Sequence, residues 1–410
     1  MPITTHAPRR AGLTLAAVLT WAGLVAAATG CTPEEFDDKP GAPNGIIRVT
    51  PADGSRNVRA DEPFEVRVPS GRLESVKVVA SQDAQESRVP GRVSADGLTW
   101  RPTGSGTRRL ALAARYTVDA VALDAAGRRS ARHATFTTHV PEKRFIAYVM
   151  PENRATVGTG MIVSLEFNRQ IENRAAVERA IKVTARPAVD IRPHWFGPSR
   201  VDFRPEHYWK PGTRVTVGLR MRDVEGSPGM YGLQHRTLSF TVGRHQASLV
   251  DAAAHTMKVR RGRQLLATVP ITAGAPATTT YNGKMVVTEM LEVTRMDGAT
   301  VGFKKADGKS EYDIPDVPHA MRLTRSGTFL HGNYWAPGAF GNTNVSHGCV
   351  GLRDVKGGSS NTPAGWFFDR SLIGDVVEVV NSHDKEVAPD NGLGGWNMGW
   401  EEWKAGGAVK

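Results

Sequence analysis

Short apolar alternations broken by turn residues fill the first half of the chain and leave little room for anything but β-structure. Phe64-Glu65-Val66-Arg67-Val68, Val76-Lys77-Val78-Val79, Leu110-Ala111-Leu112 and Tyr116-Thr117-Val118 carry apolar side chains at or near every second position. A period of two sends such side chains to one face of a strand, and strands this short at this spacing predict an antiparallel sandwich over residues 46–140. No helical period competes over that stretch. The landmarks then recur. Val49-Thr50-Pro51 returns as Val149-Met150-Pro151, Trp100-Arg101-Pro102 as Phe203-Arg204-Pro205, and Thr135-Phe136-Thr137 as Ser239-Phe240-Thr241. Three landmarks in one order, offset by about one hundred residues, predict a second, related sandwich over residues 141–244.

At 410 residues the chain exceeds one ordinary domain, and 40% apolar with 23% charged residues is a globular composition. The net charge of +11 suits an anionic partner, or serves solubility alone. No zinc-ligand spacing and no aromatic-rich basic motif accompanies it, so no nucleic acid, metal or other cofactor is expected. Asp223, Glu225 and Gly226 form only an irregular carboxylate loop. The charge fits residence in an anionic cell wall. Nothing in the sequence sets an oligomeric state.

The N-terminus reads as a targeting segment. Arg9-Arg10 precede an apolar run over residues 11–28, which is too short and too abruptly ended for a comfortable membrane span and predicts a secretory signal. Ala28-Thr29-Gly30-Cys31 resembles a bacterial lipobox, in which the cysteine is lipidated and anchors the mature protein to the membrane; cleavage after an Ala-x-Ala site is the alternative. Residues 1–31 are then signal and lipobox, and the Pro-, Asp- and Glu-bearing residues 32–45 a tether. A disulfide between Cys31 and Cys349 would consume the second thiol, whereas a lipid on Cys31 leaves Cys349 free.

That second cysteine lies in the densest chemistry of the chain. His331-Gly332-Asn333-Tyr334-Trp335 is followed by a Gly/Pro/Asn loop and then by Ser346-His347-Gly348-Cys349-Val350-Gly351-Leu352-Arg353. A thiol near its ordinary pKa of about 8.5 is mostly protonated at neutral pH, so a reactive cysteine needs an imidazole or backbone dipoles beside it. His347 would point to the same side as Cys349 in an extended segment. His331 reaches the sulfur only if residues 336–344 fold back, which their turn residues allow. Residues 327–330 predict a buried strand delivering His331 at its end. A small buried cysteine with satisfied histidines is the bland alternative.

Ser-His-Gly-Cys with His-Gly-x-x-Trp upstream resembles the L,D-transpeptidases, cysteine enzymes that form 3-3 cross-links between peptidoglycan stem peptides. Gly392-Leu393-Gly394-Gly395-Trp396-Asn397 and Trp400-Glu401-Glu402-Trp403-Lys404-Ala405-Gly406 are similar to the C-terminal extension of the mycobacterial-type members. The resemblance implies a mainly β chain: two immunoglobulin-like sandwiches, a β-rich catalytic domain over residues 245–382, and a Trp-rich extension, residues 383–410, packing on that domain. It implies Cys349 as nucleophile, His331 as base, the Gly332 carbonyl orienting that base, Tyr312 on a lid, and Ser326-Gly327 lining the groove. Backbone N–H groups around Gly348 and Cys349 would hold the oxyanion. His347 would brace the loop, and Trp335 would wall the groove. One departure stands out: members of this type often carry asparagine two residues after the cysteine, where this chain has Gly351. Substrate contacts must then come from elsewhere, with Arg353 a candidate for a stem-peptide carboxylate. A carboxypeptidase releasing the same thioester to water, and a non-catalytic wall-binding lipoprotein, remain open. In the second sandwich, His207-Tyr208-Trp209-Lys210-Pro211-Gly212 would be either a glycan-stacking loop or a buried corner.

Overall fold

The alternation of the first half resolves into two sandwiches with one strand order. In this computed structural model residues 47–103 and 109–410 are described; the signal segment, Cys31 and residues 32–45 lie outside them. One sheet of the first sandwich orders Arg48–Thr50, Glu65–Arg67, Thr99–Pro102 and Gly91–Val93. The second sandwich repeats it with Ala147–Met150, Val163–Phe167, Arg200–Pro205 and Ile191–Phe196. The other sheets correspond as well: Arg72–Gln82, Arg115–Leu123 and Arg129–Thr137 match Ile181–Arg186, Arg214–Arg220 and His235–Val242. Each repeated landmark falls on matching strands, and Trp100, Phe136, Phe203 and Phe240 are all buried.

Leu110-Ala111-Leu112 is a correction: the segment is a turn, with Ala113 at φ 51°. Its leucines are buried, so its pattern imitates a strand, but its polar groups are spent elsewhere. The Ala111 N–H donates to the Tyr116 hydroxyl, and the Leu112 N–H donates 3.2 Å to Asp223 of the second sandwich. Gln82 donates to the same carboxylate at 3.1 Å, so Asp223 serves the junction between the sandwiches.

The C-terminal sheet has nine strands, ordered Gly283–Val286, Val376–Val380, Gln246–Asp251, Thr256–Arg261, Gln264–Thr272, Val350–Arg353, Phe329–Asn333, Asp313–Arg322 and Glu289–Asp297. Two pairings in it are parallel, Gln246–Asp251 with Val376–Val380 and Phe329–Asn333 with Val350–Arg353. The short helix Pro363–Phe368, capped by the Thr362 hydroxyl, covers one face. The second sandwich meets this domain closely: Gly158 and Gly160 donate to the Ile373 and Gly374 carbonyls, and a Cβ on Gly158 would lie 2.4 Å from the Asp375 backbone nitrogen.

The tail departs from expectation. Its tryptophans bury mainly on the second sandwich, not on the catalytic domain. Trp396 donates 2.7 Å to the Gly160 carbonyl and Trp403 donates 2.9 Å to that of Arg192. The reason is Arg204, buried in the repeat landmark Phe203-Arg204-Pro205. Its guanidinium lies 4.8, 5.3 and 4.4 Å from the rings of Trp396, Trp400 and Trp403, so three indole faces replace the water that burial removed. Contacts to the catalytic domain come from the start of the tail, where Asn282 bonds Lys385 and Val387 and Val387 enters the core, and from two asparagines. Asn397 accepts from the Lys284 N–H and donates to its carbonyl, and Asn391 clasps Ser326. At the His207 segment Trp209 is buried and donates to the Met161 carbonyl, so this is a corner. Trp403→Ala removes a fully buried indole from the core of the second sandwich and should cost about 3–5 kcal/mol, read as a lowered thermal midpoint.

Candidate active site

Two neighbouring parallel strands build the site. Phe329–Asn333 is buried along its length, and Val350–Arg353 runs beside it with Leu330 level with Val350 and His331 level with Gly351. Cys349 precedes the second strand by one residue, level with Phe329, whose N–H donates to the sulfur at 3.4 Å. Side chains two apart on a strand share a face, so His331 and Cys349 project to the same side. The position opposite His331 is Gly351, where a Cβ would meet Thr272 and Asn333. His331 sits mid-strand, a correction to the expectation that it ends one, and this explains why it is only 4% exposed.

The imidazole is held in one tautomer. Its Nδ1 lies 2.8 Å from the Gly332 carbonyl, which can only accept, so Nδ1 carries the hydrogen and Nε2 keeps its lone pair. Trp335 stacks on the ring at 5.7 Å and 14°. Glycine is required at 332, because a Cβ there would sit 2.2 Å from the buried Asp354 carboxylate, which also binds His319 at 2.6 Å.

The connection between the strands is tied at several points. Asn344 accepts from the Ala273 N–H, Thr272 donates to the Thr343 carbonyl, and the Ser346 hydroxyl donates 2.6 Å to the Cys349 carbonyl. Gly348, at φ 110°, turns the chain toward Cys349 in a conformation open mainly to glycine. Its N–H donates to the Ser346 hydroxyl, so it is already committed inside the loop.

His331, Cys349, Tyr312, Trp335 and His347 line one cavity of about 270 Å³. His347 does not reach the sulfur: it packs on Phe303 and Tyr312 and lies 3.5 Å from Glu311, bracing the lid. Gly327 adjoins the thiol, which donates 3.6 Å to its carbonyl. Ser326 is not brought in, since Asn391 of the tail takes both its N–H and its hydroxyl. Arg353 also stays outside, lying over Phe340 with its guanidinium on the Pro337 carbonyl. The sequence reading passed over Asn333 and Ser346, which line the cavity too. Asn333 falls two residues after His331 on the same strand, a spacing that would have flagged it.

Burial sets the charge states. It pushes the Cys349 thiol up to about 11, against the partial help of the Phe329 N–H and the Arg322 charge. It also lowers His331, against the Gly332 hydrogen bond. Tyr312 is pushed up to about 12 by burial first and then by the Cys349 charge. Burial therefore favours the thiol over the thiolate and the neutral imidazole over the imidazolium.

A mainly β scaffold presents a thiol and an imidazole to one cavity, an arrangement able to support cysteine-dependent acyl transfer. Residues 245–379 match the L,D-transpeptidase catalytic domain, and residues 55–225 match a bacterial Ig domain. L,D-transpeptidase 2 of Mycobacterium tuberculosis is 34% identical over 98% of this chain and 96% of that protein. L,D-transpeptidase 5 of the same species is 29% identical over 93% and 80%. A solved LD transpeptidase in complex with imipenem is 30% identical, covering 58% of this chain and 100% of its own, with a TM-score of 0.48. The chain belongs to the L,D-transpeptidase family, as an enzyme of peptidoglycan cross-linking with a bacterial Ig region ahead of its catalytic domain.

The charge states are testable by alkylation. With the thiol near 11, the rate of Cys349 modification by iodoacetamide should rise about tenfold per pH unit from pH 7 to 10. A plateau beginning at or below pH 9 would mean a thiolate stabilised beyond what this geometry provides.

Proposed function

We propose that Cys349 is the nucleophile and His331 the base of 3-3 cross-link formation. The observation that carries this reading is the fixed His331 tautomer, with Nε2 bare in the cavity that also holds the Cys349 thiol. As the sulfur attacks the donor carbonyl, its proton passes to Nε2, which avoids a charged pair in a buried resting site. The tetrahedral oxyanion is met by the Cys349 N–H and the Tyr312 hydroxyl, because the Gly348 N–H is engaged by Ser346. Collapse breaks the C–N bond, and the leaving amine takes the proton from His331. The acceptor amine then attacks the thioester and passes its own proton back through His331 to the sulfur. By family resemblance the donor is a tetrapeptide stem cut between meso-diaminopimelate and D-alanine, and the acceptor is a side-chain amine of a second stem.

Incubation with a carbapenem should add the drug's mass to the wild-type protein and none to Cys349→Ala. His331→Ala should slow acylation by about 10²–10⁴-fold. An adduct on Cys349→Ala would overturn the assignment.

The reading extends to residues outside those described. Cys31, after Ala28-Thr29-Gly30, carries a lipid that holds the enzyme at the outer face of the cell membrane, with residues 32–45 as tether and the sandwiches over residues 46–140 and 141–244 as spacers. Residues 245–382 are then the catalytic unit and residues 383–410 its extension. Cys31→Ser should move the protein from membrane to soluble fraction with carbapenem acylation unchanged; persistent membrane association would count against lipidation.

A further inference from the structure

We infer that the side-chain amide of Asn333 is a substrate-binding donor, supplied from the histidine strand into the space over Gly351. The proposal rests on the reading of Cys349 as nucleophile.

Asn333 is 3% exposed and lines the cavity with His331 and Cys349. Its orientation is set by its own loop: Oδ1 accepts from the N–H groups of Trp335 at 3.0 Å and Ala336 at 3.1 Å. Two donors at one atom identify it as the carbonyl oxygen, so the opposite atom is the NH2 group. That group meets no acceptor among the described residues. The residue as a whole is buried while this NH2 group stays available to the cavity, so a ligand there can take it without displacing a protein partner.

The place it occupies is specific. A Cβ built on Gly351 would lie 3.4 Å from Asn333 Nδ2 and 3.4 Å from Asn333 Cβ. Asn333 therefore fills the region into which a side chain at 351 would project, beside the level of His331. A Cβ at 351 would also stand 2.9 Å from Thr272 Cγ2, so a side chain there competes with what is already packed. The glycine that departs from the family's asparagine is thus matched by an asparagine on the adjacent strand. The chemistry presented to the substrate is an uncharged N–H donor, suited to a peptide carbonyl or carboxylate of the acyl donor stem.

The test compares acylation by a defined tetrapeptide stem in wild type, Asn333→Asp, Asn333→Ala and the double variant Asn333→Ala/Gly351→Asn. Asn333→Asp keeps an acceptor for the Trp335 and Ala336 N–H groups but exchanges the NH2 donor for a second carboxylate oxygen and adds a charge, so Asn333→Ala serves as the uncharged control. Asn333→Asp should melt somewhat below wild type because of the buried charge, raise KM for the stem at least tenfold and still allow iodoacetamide alkylation of Cys349. The double variant returns an amide from the facing strand and should recover most of the stem acylation lost in Asn333→Ala alone. Stem acylation within twofold of wild type in Asn333→Asp overturns the inference while leaving the nucleophile assignment intact. Should Asn333→Asp unfold, the double variant decides: no recovery over Asn333→Ala overturns it. A wild-type protein that no stem acylates removes both this inference and the reading beneath it.

Discussion

The parallel pairing of Phe329–Asn333 with Val350–Arg353 is the constraint from which the site follows. Parallel neighbours cannot be joined by a tight hairpin, so the chain must leave the sheet and return, and residues 334–349 are that crossing. The crossing is short and nonhelical, which its ties to Ala252, Thr272, Ala273 and Ala275 make tenable. The register then decides the chemistry. One step of slip would send His331 and Cys349 to different faces of the sheet.

The burial that fixes this geometry also removes water from the thiol and the imidazole. Both neutral forms are favoured, which suits the proposed transfer of the proton together with attack. Tyr312, packed against His347 and Phe303, lines the same cavity, and its hydroxyl is the polar group that the proposed mechanism sets against the developing charge.

The C-terminal tail joins two parts of the molecule that share no sheet. Its indoles enclose Arg204 of the second sandwich, while Asn391 and Asn397 hold the catalytic domain beside Ser326 and Lys284. Arg204 is pulled down to about 10 by its burial and still carries charge at neutral pH, so the aromatic cage has a cation to hold. Together with Arg244 on Asp375 and the close approach at Gly158, this fixes the orientation of the sandwich toward the active domain.

Much was legible in the sequence because it is local. Side-chain alternation and recurring landmarks determined two β-sandwiches, and the His331 and Cys349 motifs determined the family. Leu110-Ala111-Leu112 misled because burial alternates in a turn as it does in a strand, and only hydrogen bonding separates the two. The tertiary structure alone decided that Ser326 is taken by the tail, that Arg353 turns outward, that the tail grips Arg204, and that Asn333 stands where Gly351 leaves room. Each of these depends on which distant surfaces meet, and on how much water their meeting excludes, which no run of neighbouring residues encodes.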